Sequence, residues 1–228
     1  MSRRPSLTTT LPVAALVAAV SLATLPDTAR AGNYERTYRV SVVNITPGSQ
    51  FTPVLAAVHR RSASLFTLGE APSDELATLA EGGDTGPLQG MLDSLSTVSS
   101  TATVPGPSEG LTFAGESVSF EVQARGRRVM SLAAMILPSN DSFVALDSVP
   151  LPYYGSYTFD AVGYDAGSED NDELCASIPG PTCGVDGEGL EGEGFVHVSG
   201  GIHGIGDLPE EEYDWRNPVA RVTITRIR

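Results

Sequence analysis

The 228 residues include 28 Asp and Glu but only 14 Lys and Arg, for a formal charge of −14. So acidic a surface disfavours nucleic acid and anionic membranes as partners, since both call for basic patches. Every basic residue is Arg, which excludes Schiff-base and Lys-nucleophile chemistry outright.

The chain opens with the pattern of an export signal. Arg3 and Arg4 supply a positive start, Leu11 to Leu25 is apolar apart from Ser21 and Thr24, and Ala29-Arg30-Ala31 offers a small-x-small cleavage site. Residues 1–31 therefore read as a signal peptide and 32–228 as one domain, secreted to the extracellular space or a periplasm. The general secretory route fits better than the twin-arginine route, which usually has Phe where Ser6 stands. At about fifteen residues the apolar run is short for a membrane span, and no later segment is long or apolar enough for one. Removing 31 residues, three Arg and one Asp among them, leaves 197 residues at −16, enough for a sizeable core.

Thr37 to Ile45 alternates and is rich in β-branched residues, which predicts a strand; a turn at Thr46–Ser49 and a returning strand from Phe51 to His59 follow. Ser73 can cap a helix with Asp74 and Glu75 in its first turn, Leu76, Leu79 and Ala80 on one face, and Gly82-Gly83 as its stop. Leu88, Met91, Leu92 and Leu95 suggest a second short helix, and Ser96 to Gly110 reads as a loop. Strands dominate from there. Glu116 to Ala124 alternates with Val118, Phe120 and Val122 facing one way, and Arg125 to Arg128 makes a basic turn. Val129 to Leu137 is apolar enough for a central buried strand. Phe143 to Val149, Tyr157 to Tyr164 and Val219 to Ile227 complete the set, with the first and last strands expected to pair. The fold class is all-β, an antiparallel β-sandwich with a short helical insertion around residues 73–95.

Cys175 and Cys183 flank the loop CASIPGPTC, and in an exported protein such a pair is most simply a disulfide. Zinc would want four ligands, and the three histidines are not at finger spacing. From Asp165 to Asp214 the chain carries fourteen acidic residues and no Lys or Arg, a density that should leave the segment loose unless cations screen or bind it. Asp141 in LPSNDSF, and Asp165 with Glu169 in YDAGSED, could hold a hard cation such as calcium; a solvated acidic loop is the plainer reading. His197 and His203, in HVSGGIHG, show no HExxH pattern, so a structural pair organising a Gly-rich loop is favoured over a metal site or a general base. Ser62, Ser64 and Ser199 lack a GxSxG elbow, and the lone Trp215 reads as core.

TYRVSVVNIT followed by FTPVL, then AAMILPSNDSFVALDSVPL, YDAGSEDNDE and NPVARVTITRIR, resemble in order and spacing a spondin domain. This is the N-terminal module family of F-spondin and mindin, also found as stand-alone secreted bacterial proteins. The resemblance spans nearly the whole mature chain and implies a C2-like antiparallel β-sandwich with a calcium ion on loops at one end. By motif its ligands would be Asp141, Asp165 and Glu169, with Asp170 the neighbour that could substitute where family members often have a second Asp. Ser142 follows Asp141 where animal members usually have Trp, and only one Cys pair is present, so animal partners such as integrins do not transfer. The expected function is a secreted, non-catalytic, calcium-binding recognition or adhesion module with an unknown extracellular protein or glycan as partner. The alternative is a metal-dependent hydrolase of carbohydrate or phosphate ester, using the same carboxylates with His197 or His203. A third possibility is a structural envelope protein with no discrete ligand.

Overall fold

The computed structural model describes residues 34–184 and 189–228; the expected signal peptide at 1–31 and its cleavage site lie outside the described residues. Alternation builds the first layer. β1 (Glu35–Asn44) buries Tyr38, Val40, Val42 and Asn44 and turns the residues between them outward. It pairs antiparallel with β5 (Ser117–Arg125) on one side and β10 (Ala220–Arg226) on the other, so the first and last strands are neighbours as expected.

β3 (Val54–His59) and β6 (Val129–Leu137) are buried along their whole lengths, because both of their faces are covered. Val54, Ala56, Val58, Leu132, Ala134 and Ile136 point into the core between the layers. Leu55, Ala57 and Ala133 pack instead under α1 (Asp74–Gly82) and α2 (Gly86–Ser94), through Leu76, Leu79, Leu88 and Leu92. Ser73 Oγ accepts the Leu76 N–H at 3.2 Å and Gly83 closes the other end of α1 in the left-handed region. The helical insertion is thus a cover for the outer face of the sheet.

Two segments differ from the sequence reading. The returning strand is two strands, β2 (Gln50–Phe51) and β3, broken at Thr52-Pro53 where proline has no N–H to give a ladder. Neither runs back along β1; both pair with β6. The segment read as a loop from Ser96 contains β4 (Val98–Val104), the edge strand beside β3. Its Ser and Thr residues show no apolar alternation, but an edge strand needs only a backbone partner on one side.

β7 spans Ser142–Pro150 and β8 Ser156–Asp165. The strands form an antiparallel sheet in the order β4-β3-β6-β7-β8-β10-β1-β5, folded into a nearly closed sandwich. β8 links the layers: residues 156–161 pair with β10 and 162–165 with β7. That crossing sets Asp165 opposite Ser142, next to Asp141. The two-residue β9 (His197–Val198) adds to the same end of β8 and pairs His197 with Asp165. A four-residue α3 (Glu210–Tyr213) precedes β10. Among the described residues no helix is long and apolar enough to cross a membrane.

Candidate functional site

Asp141 ends the loop between β6 and β7 and is fully buried. Its Oδ2 accepts from Ser168 N at 2.8 Å, Glu169 N at 3.1 Å and Ser168 Oγ at 3.2 Å. Its Oδ1 is equally buried and has no hydrogen-bond partner among the described residues. Asp165, 1% exposed, accepts from Gly167 N through Oδ1 and from Asn171 Nδ2 through Oδ2, each at 2.8 Å. Burial, reinforced by the neighbouring Asp165, pushes the Asp141 carboxyl up to about 7. Burial raises Asp165 as well, against the opposing bonds from Asn171 and Gly167 and the nearby His197.

The loop after β8 folds back on this pair. Gly167 has φ 69°, and a Cβ there would stand 2.3 Å from Phe195 O, so only glycine permits the turn. Glu169 is also buried, but its side chain runs toward the distal loop, where Oε1 accepts from Gly189 N at 2.7 Å. Asp141 and Asp165 are therefore brought together, while Glu169 meets Asp141 through its backbone N–H. Asp170 N donates to Leu190 O at 2.8 Å, which places that residue against the distal loop as well.

A second grouping includes a residue that sequence reasoning left unassigned. One ligand atom each from Asp165, Glu193 and His197 lies within 4.8 Å of the other two. His197 Nε2 is 3.4 Å from Asp165 Oδ1 and 3.6 Å from Glu193 Oε2. Burial alone would lower the His197 pKa, but the Val198 carbonyl and the two carboxylates outweigh it and raise it. The signal for this grouping was the strand pairing of His197 with Asp165, which the spacing of residues does not carry. His203 goes elsewhere, its Nδ1 3.8 Å from Glu173 Oε1. The two histidines therefore serve separate carboxylates rather than one another.

The acidic segment, expected to be loose unless cations screen or bind it, is ordered over its described residues because several of its carboxylates accept from N–H groups of the chain. Buried Glu173 accepts from His203 N at 2.6 Å and Ile205 N at 2.9 Å. Asp207 accepts from Cys175 N at 3.0 Å, and Asp172 from Leu174 N at 2.9 Å and Asn140 Nδ2 at 3.0 Å. Charge-assisted bonds of this kind replace the water that each carboxylate would otherwise keep. Cys175 and Cys183 form the expected disulfide. Trp215 is buried, in keeping with the core role expected of it.

One further cluster has the residue types of a nucleophilic triad but not its order. Ser131 Oγ sits 2.7 Å from His59 Nε2 and 3.0 Å from Asp147 Oδ1, with Ser148 N donating to it at 2.8 Å. A triad needs His between Ser and Asp. Here Ser is the bridge, and both Ser131 and His59 are fully buried.

A family profile described as Spondin_N matches residues 33–176. The match takes in Asp141, Asp165, Glu169 and Cys175 and ends before Cys183, Glu193 and His197. No curated protein matches the chain.

Proposed function

The chain belongs to the Spondin_N family, and from that premise we propose that it is an exported, calcium-binding, non-catalytic recognition or adhesion module. The observation that carries the calcium reading is Asp141 Oδ1, buried without a hydrogen-bond partner among the described residues and beside the second buried carboxylate of Asp165. Leaving such an oxygen unmatched is costly, and a cation is the partner that two adjacent carboxylates suit. Calcium takes six to eight oxygens, so Asp141 and Asp165 would hold it together with carbonyls and water, and Glu169 would join them by turning its carboxylate away from Gly189 N. When bound it supplies positive charge and no proton or electron transfer. Export is supported by the signal pattern of residues 1–31 and by the disulfide, which persists in oxidising compartments. The non-catalytic reading is supported by the family and by the wrong order of the Ser131 cluster.

His197 favours a second reading. An imidazole nitrogen among carboxylates suits zinc or another borderline metal better than calcium, and such an ion would open the way to hydrolysis. Thermal melting of the exported protein with chelator, calcium, magnesium or zinc separates the two. Calcium should raise the melting temperature, magnesium little, and Asp141→Asn should remove most of the calcium effect. A response to zinc alone, lost in His197→Ala but kept in Asp141→Asn, would reject calcium in favour of the second reading.

A further inference from the structure

At the end of the sandwich away from the carboxylates, the chain carries an unneutralised cationic cleft. Because neighbouring strands run antiparallel, that end collects the start of β1, the end of β3, the β5–β6 turn and the β7–β8 turn. β8 separates the two ends by about 30 Å, at roughly 3.3 Å per residue. Arg36, Arg60, Arg61, Arg127, Arg128 and Tyr153 line a cleft of about 550 Å³ there. Its floor is apolar, with Tyr38, Val129 and Leu151.

In a protein with two acidic residues for each Arg, these five guanidinium groups form no ion pair among the described residues. Arg39, Arg125 and Arg221, which project from sheet faces, are all paired: with Glu121, Glu35 and Asp160. Two of the five, Arg36 and Arg128, are also held in place. Arg36 donates to Gly126 O at 3.3 Å and Arg128 to Ser99 Oγ at 2.7 Å. Arg36 and Arg226 stand over the Tyr153 ring, 5.2 and 5.5 Å from its centre, and Arg226 also donates to Tyr153 O. Positive groups fixed close together without counter-charge repel one another, and a multivalent anion relieves that repulsion. Guanidinium groups bind planar carboxylates and sulfates through two parallel bonds.

A second depression of about 430 Å³ adjoins the first and shares Arg60 and Arg128 with it. Ser99, Ser100 and Gln123 line it, and its carboxylate, Glu35, is already engaged by Arg125. Hydroxyl and amide groups beside fixed cations match a ligand rich in both hydroxyls and negative charge. Nucleic acid would ask for free ring faces on which bases stack, and the Tyr153 ring already carries guanidinium groups.

We propose that this cleft binds an acidic oligosaccharide, carboxylated or sulfated. The site is independent of the calcium reading, so binding is measured by titration calorimetry on the exported protein in chelator. The probes are a galacturonic acid hexamer, a heparin-type sulfated hexasaccharide and neutral maltohexaose, with inorganic phosphate and phosphatidylglycerol vesicles as further arms. At least one acidic hexamer should bind tenfold or more tightly than maltohexaose and weaken as salt rises. Arg60→Gln with Arg127→Gln should weaken it at least tenfold; both side chains are exposed and engage no partner among the described residues, so the fold tolerates the change. Arg61→Gln should give a smaller loss, while Arg221→Gln should bind as wild type. Equal binding by the double variant, or no preference for charge over maltohexaose, overturns the proposal. Phosphate binding as tightly as the hexamers would reduce the cleft to a simple anion site. Vesicle binding without hexamer binding would replace the saccharide with a membrane.

Discussion

Asp141→Asn tests the calcium reading most sharply, because the advantage it gains in chelator should shrink once calcium is present. The amide is nearly isosteric with the carboxylate, and its oxygen can still accept from Ser168 and Glu169 as Asp141 Oδ2 does. What it removes is a buried charge. The Asp141 carboxyl is raised from 3.8 to about 7, which corresponds to a charging cost of about 4 kcal/mol in the metal-free fold. A raised carboxyl contributes stability that is complete below pH 3.8 and lost as pH climbs to about 7. In chelator at pH 8, Asp141→Asn should therefore be more stable than wild type by up to about 4 kcal/mol, or roughly 10 °C in Tm for a domain of this size. The wild-type Tm should decline between pH 4 and 7, and the variant should lack that part of the decline. Calcium then works the other way. At a hundredfold excess over Kd it should stabilise wild type by about 2.7 kcal/mol, roughly 7 °C, and leave the variant nearly unchanged. Differential scanning calorimetry in chelator and in millimolar calcium reads both arms. A variant less stable than wild type in chelator, with an equal calcium response in both proteins, would refute the reasoning. Glu191→Gln, in the distal loop, should keep the full calcium increment.

The remaining predictions concern the loops and the chemistry. Intact mass spectrometry of exported material should find a chain beginning at Gly32 with no free thiol, and reduction of Cys175–Cys183 should lower stability by about 2–3 kcal/mol, the chain-entropy value for so short a loop. Glu173→Ala should cost about 2–4 kcal/mol in denaturant unfolding, because the His203 and Ile205 N–H groups lose their acceptor. It should also speed proteolysis near residue 204, whereas Glu173→Gln should retain part of that protection; unchanged stability would show that water replaces the carboxylate at no cost. Glycoside, ester and phosphoester substrates should show no turnover above a heat-killed control. Activity that disappears when His197 and His203 are both changed to Ala would favour the hydrolase reading.

Much of the fold was legible in local pattern. Alternation in β1, β5 and β10 and the unbroken apolar run of β6 follow from which faces each strand must cover. Ser73, Gly83 and the Leu76–Leu79 face specify α1 within a few residues of chain. The proximity of Asp141 to Asp165 was implied by family resemblance, and its cause is the crossing of β8 between layers. Nothing local announced β4, whose polar residues gain a place in the sheet only because β3 offers it a backbone edge. The same holds for the partner of β3, since the choice between β1 and β6 rests on burial across the whole domain.

Charge shows the division most plainly. Composition establishes an acidic protein, but a total is an average over the surface and says nothing of position. Glu173 is held inside by the N–H groups of His203 and Ile205, and Asp172 and Asp207 accept from Asn140 Nδ2 and Cys175 N, so a segment that charge repulsion alone would loosen is ordered over its described residues. Arg36, Arg60 and Arg127 lie on separate elements and meet because antiparallel strands return to the same end of the sandwich. Residue type and periodicity are properties of neighbouring residues and can be read along the chain. The match of one buried group to another across many residues exists only once the layers close.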